Sequence, residues 1–172
     1  MEVHGATRHD PFPGTPEDGL ELRASVTVDP GAGRIAIDLT DNPDNLRNGL
    51  NLTRATATAA ALTGALSALP TVVPTNSGTF RRFDVRLREG CVVGIPRFPH
   101  SCSSATTNLA DRVIGLVQAA FAQVGDEFGA GEGGVGQAPA KSVISGTDQR
   151  TDRPYVNQII VGGVGGPATA FV

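Results

Sequence analysis

The chain has 172 residues, enough for one domain with a substantial core, and 40% hydrophobic with 18% charged residues places it in the soluble globular class. A formal net charge of -3 without a long basic run argues against a protein whose main task is neutralising nucleic-acid phosphates. Aromatic residues make up only 5% and Trp is absent, so the core must be built from Val, Ile, Leu and Ala.

The first residues, MEVHGATRHDPFPG, show neither a charged segment followed by an apolar one nor an amphipathic Arg/Ser pattern, so no targeting peptide is expected. Asp10–Gly19 is rich in Pro and Gly. Leu20–Val28 then alternates apolar and polar residues with a period of two, as a half-buried strand does. Turn residues follow at Asp29–Gly33, and Arg34–Thr40 alternates again, so the two runs predict a β-hairpin with one core face. Asp41–Gly49 reads as a polar loop of Asn and Asp.

Asn51 or Thr53 is placed to cap a helix running to Leu69, whose small residues permit close packing, and Pro70 stops it. This segment is too short and too polar to span a bilayer. Pro74–Gly78 forms a turn, and Arg81–Arg88 puts Phe83, Val85 and Leu87 on one side of the clearest amphipathic strand. From about Thr107 to Val124, residues Leu109, Val113, Leu116, Val117, Ala120, Phe121 and Val124 recur at helical spacing, with Asn108 and Asp111 as a first-turn cap. Further on come an apolar run, Ser142–Ser145, and a strand at Tyr155–Val161.

Gly129–Gly134, GAGEGG, fits the spacing of a dinucleotide-binding turn, but that turn needs a strand before it and a helix opening on its last glycine. Here the glycines follow a helix and precede Gln137–Ala140, so a glycine connection is the better reading. Cys91, His100 and Cys102, with His4, His9 and Asp10, are metal-ligand types, yet the spacing lacks the paired Cys-x2-Cys of structural zinc sites. A buried structural Cys91 and a loop Cys102 are preferred. Two cysteines fit a reducing, cytoplasmic setting, with one disulfide between them left open.

Pro99–Ser104 crowds a thiol, hydroxyls and an imidazole, but catalytic partners meet in space rather than along the chain. Asp38, Asp41 and Asp44 are further base or ligand types. Arg81 and Arg82 stand at a strand start, where either anion binding or an ion pair with Asp84 or Glu89 is expected, and the ion pair is preferred.

Three blocks in order resemble the hydantoinase B/oxoprolinase family. They are Ile35–Asp41 with Asn48-Gly49-Leu50-Asn51, then Val73–Arg81 with Val85 and Glu89-Gly90, then Thr107–Phe121 with Asp111-Arg112-Val113. The match covers about residues 20–125, and it leaves the glycine stretch outside. Such a resemblance implies an α/β (mixed α+β) fold over residues 1–172, with antiparallel hairpins, a mixed sheet and about two main helices.

It also implies ATP-dependent opening of a cyclic amide, hydantoin or 5-oxoproline, or a related ketone carboxylation, carried out with a hydantoinase A-type ATPase subunit. Family B subunits are much longer, so this chain resembles a partial or split one. No cofactor is expected on it; ATP and a divalent metal are expected on the partner subunit or on the rest of the B-type subunit. Where many members have a Pro-Ala-Ala-type turn, this chain has Phe98–Ser104, which leaves the substrate open. Asn51, Asn76, Arg81, Asn108 and Arg112, polar groups at element ends within the matched blocks, are the candidates for a substrate site or its supporting shell. The alternative is a non-catalytic assembly module of the same complex.

Overall fold

The computed structural model describes residues 2–7, 14–125, 128 and 141–160. In chain order the elements are β1 (Glu2–Thr7), β2 (Leu20–Asp29), β3 (Arg34–Asp38), α1 (Arg54–Ser67), α2 (Ser77–Phe80), β4 (Phe83–Arg86), α3 (Ala105–Asn108), α4 (Ala110–Phe121), β5 (Lys141–Asp148) and β6 (Arg153–Ile160). The fold is mixed α/β. Strands β1 to β4 form one sheet in sequence order, antiparallel except for the parallel pair β3–β4, and β5 with β6 forms a separate antiparallel pair.

The hairpin predicted from period-two alternation is β2–β3, in register from Ser25↔Asp38 to Asp29↔Arg34. Leu20, Leu22, Ala24 and Val26 all point to the core. In the turn, Asp29 Oδ1 accepts from Ala32 N at 3.0 Å, and Gly33 takes a positive φ of 59° that a side chain would resist. From β3 the chain crosses through α1 and returns as β4, the connection a parallel neighbour requires.

Helix α1 is capped by Thr53, whose hydroxyl accepts from Thr56 N; Asn51, the other candidate cap, is buried instead. α1 packs on α4, α4 lies over β1 and β2, and α1 reaches β4. The α1–α4 approach depends on Gly64, because a Cβ there would sit 2.7 Å from the Ile114 carbonyl oxygen and 2.9 Å from Val117 Cβ. Gly64→Leu is therefore expected to push the helices apart and destabilise the fold by about 1–3 kcal/mol, the usual cost of overpacking. A thermal or urea melt of the variant checks this, and an unchanged midpoint would contradict it.

Helical spacing predicts one helix from about 107 to 124 with Asn108 in its cap, and the structure corrects this. The chain makes a short α3, breaks at Leu109 and restarts as α4, while Asn108 Nδ2 donates back to Ser104 O at 2.8 Å. Val124 lies beyond the helix and is exposed. Strand β1, short helix α2 and the β5–β6 pairing also go beyond the sequence expectations. Among the described residues no helix is long and apolar enough to cross a membrane.

Candidate functional site

The densest polar structure joins the loop at 40–51 to an arm at 88–101. Three asparagines organise it, each spending its amide on backbone groups. Asn42 accepts from Arg23 N and donates to Arg23 O and Leu39 O, fastening the loop to β2. Asn45 donates to Cys91 O at 2.8 Å and accepts from Arg97 N at 3.0 Å, fastening the arm to the loop. Asn51 is fully buried; its Oδ1 accepts from Leu46 N and its Nδ2 reaches the carbonyls of Leu46, Asn48 and Ser101. Amides so completely engaged, buried in Asn42 and Asn51 and half-buried in Asn45, rigidify the backbone around them.

Backbone pairs add to this clasp. Asn45 N donates to Gly90 O, Val92 N to Pro43 O and Leu52 N to Val92 O, each within 2.9 Å. Arg88 closes it from outside, with Nη1 on Asp44 Oδ1 at 2.7 Å, Nη2 on Asn42 O at 2.6 Å and Nε on Thr40 O at 3.1 Å. The hydrogen bond to Asp44 holds the Arg88 guanidinium above its ordinary range.

Above the clasp, Asp44, Asn45, Arg88, Glu89, Gly90, Arg97 and His100 line an open cleft of about 370 Å³. Arg97 Nη2 meets Glu89 at 3.0 Å. His100 Nδ1 lies 2.9 Å from the Arg97 carbonyl oxygen, which can only accept, so Nδ1 carries the proton and Nε2 of the neutral ring is a proton acceptor. His100 is half-buried, and the turn leading to it contains the cis Phe98–Pro99 peptide, with Phe98 fully exposed. A proton acceptor, two guanidinium groups and two carboxylates on a rigid floor can bind a small polar group and move a proton.

Among the sequence candidates, Asn51 lies beneath this cleft and Asn108 is tied to the same region, since Ser104 N donates to Gly49 O and Ser104 O accepts from Asn108. Arg112 is half-buried on α4. Asn76 caps α2 by accepting from Gly78 N and Thr79 N, and Arg81 closes the same helix, both exposed and in a different element. The preferred ion pair of Arg81 or Arg82 with Asp84 or Glu89 is corrected: Asp84 pairs with Arg86 and Glu89 with Arg97, each a better-placed neighbour. Asn45, Arg88 and Arg97 escaped sequence reasoning, because their partners lie 44 to 52 residues away. In the sequence His100 stands out only as a metal-ligand type or as a neighbour of a nucleophile.

Cys91 is buried, its thiol directed at the carbonyls of Asn42 and Val93, and burial pushes its pKa up; burial also raises that of half-buried Cys102. Both are free thiols. Among the described residues no three His, Cys, Asp or Glu side chains come together as a metal-ligand cluster. His9, Asp10, the side chain of His4 and the glycine stretch 129–134 lie outside what the structure describes.

Compared with known proteins, the chain is matched over residues 5–170 by the sequence model of a family described as Hydantoinase B/oxoprolinase. The match extends well past the region near 20–125 that carried the resemblance, and it takes in the glycine stretch. No curated protein and no solved structure matches.

Proposed function

Because the chain belongs to the hydantoinase B/oxoprolinase family, we propose that it supplies part of the substrate site of an ATP-dependent cyclic-amide hydrolase, or of a related ketone carboxylase, shared with an A-type ATPase subunit. The observation that carries this reading is the cleft at His100, a proton acceptor mounted on a floor fixed by Asn45 and Asn51. ATP bound by the partner would activate the carbonyl. This chain's residues would position and protonate. His100 Nε2 takes or returns a proton at the reacting group, the role of a general acid–base. Arg97 meets Glu89 with one terminal nitrogen, which leaves N–H groups to orient a carbonyl or the carboxylate that ring opening releases.

A second reading, a non-catalytic assembly module, draws on the β5–β6 pair. Ile144, Tyr155 and Val156 are exposed there, and a two-stranded hairpin is at best marginal by itself. The test mixes this chain with a purified A-type subunit and follows ATP-dependent opening of hydantoin and 5-oxoproline. The site reading expects a stable complex whose turnover requires the chain. A complex that forms and turns over equally well without the cleft residues would leave the assembly reading in its place.

A further inference from the structure

We propose that the outer face of α1, walled by α2, is a docking groove for an acidic amphipathic helix of a partner protein. Helix α1 is apolar on two faces. Ala57, Ala61 and Gly64 are buried on the side that packs on α4, whereas Ala55, Ala59, Leu62 and Leu66 run along the other side. Together with Phe80 they line an open groove of about 680 Å³. The spacing of 55, 59, 62 and 66 makes one continuous ridge, the surface against which another helix packs. Phe80 is 41% exposed, and Val72, in the segment between α1 and α2, is fully exposed. Nothing among the described residues fills the groove.

Charge identifies the occupant. Between positions 51 and 83 the sequence has Arg54, Arg81 and Arg82 and no Asp, Glu or Lys, in a chain whose 17 acidic residues outnumber its 14 basic ones. Arg54 lines the groove at the first position of α1, where the helix dipole is already positive, and no acidic residue stands in that first turn. Arg81 follows Phe80 directly and closes α2. Neither arginine belongs to an ion pair among the described residues. A second copy laid on this face would add three more arginines and, between positions 51 and 83, no carboxylate to meet them. A helix with an apolar stripe and flanking carboxylates covers the groove floor and neutralises both arginines, which is the helix-in-groove mode of recognition.

That this partner is the A-type subunit rests on the function proposed above; its chemistry at the groove rests on the lining. The test titrates the purified A-type subunit into the full chain and into two variants at exposed positions, Arg54→Glu/Arg81→Glu and Ala59→Arg, with Arg34→Glu at the exposed start of β3 as control. Circular dichroism and melting verify that each is folded. The double reversal is expected to weaken binding at least tenfold at low salt and to flatten its salt dependence. Ala59→Arg should weaken it at every salt concentration, and the control should match wild type. Wild-type binding that survives both groove variants overturns the groove and leaves the proposed function standing. If wild type fails to bind the A-type subunit, the proposed function falls and takes this assignment with it. A wild-type dimer that the same substitutions dissociate would give the groove to a second copy and overturn the acidic-helix assignment.

Discussion

Asn51→Leu is expected to destabilise the protein by about 3–5 kcal/mol, given that each buried polar group left without a partner costs about 1–3 kcal/mol and the loops relax only in part. Leucine fits the volume but makes no hydrogen bond. It would strand the Leu46 N–H, now 2.8 Å from Asn51 Oδ1, and the carbonyls of Leu46, Asn48 and Ser101, now 2.8–3.0 Å from Nδ2. For a chain of this size the loss corresponds to a fall in Tm on the order of 10 °C. Asn51→Asp refines the test. It keeps the acceptor for Leu46 N but, once ionised, presents a carboxylate to three carbonyl oxygens in a buried site, which raises its pKa above that of the unfolded chain. Stability lent by the protonated form is full below the unfolded carboxylate's pKa and is lost as pH rises through the raised one, so the Asp variant should weaken as pH rises from acid toward neutral. An Asn51→Leu protein within about 1 kcal/mol of wild type in urea would show that these bonds are replaced by water, contrary to the burial.

Why Asn51 was legible only as a candidate illustrates what local sequence can and cannot carry. Its neighbours Leu50 and Leu52 and the helix that follows placed it at an element end, but its decisive partner, Ser101, is 50 residues away. Patterns with a period of two or 3.6 report which face of an element is buried, and so β2, β3, α1 and the apolar face of α4 could be read from Leu22, Ile37, Ala61 and Val117. They carry no information about which strand is the neighbour. The parallel β3–β4 pairing depends on the α1 crossover, and β1 has too few apolar residues in EVHGAT to announce itself. The break at Leu109 was hidden for a related reason: an apolar residue suits either a continuous helix or a buried junction, and Leu109 is the latter.

The cleft shows the same division. His100 and Asp44 were visible as residue types, while the Arg88–Asp44 and Asn45–Arg97 contacts that give them a geometry arise only when the arm folds onto the loop. Resemblance to a family contributed what the spacing lacked. It pointed to Asn51 and Asn108, which the fold ties to one region through Ser101 and Ser104, and equally to Asn76 and Arg81, which belong to α2 beside the apolar groove.

On the function proposed above, His100→Asn is expected to lower ATP-dependent turnover by about 100-fold or more, the range that a positioned general acid or base contributes, while leaving the complex and the fold intact. The asparagine amide can occupy the place of Nδ1 and donate to the Arg97 carbonyl as the imidazole does at 2.9 Å, so the arm keeps its anchor. What disappears is the Nε2 acceptor facing the cleft. Substrate binding should change little, so the loss should appear in kcat more than in KM. His100→Gln is the discriminating companion, because its amide reaches the position of Nε2 and hydrogen-bonds there but cannot exchange a proton. If His100 only orients the substrate, Gln restores most of the rate. If it transfers a proton, Gln is as slow as Asn. Rates within a few-fold of wild type for both variants would remove His100 from the chemistry and leave the clasp beneath it as scaffold.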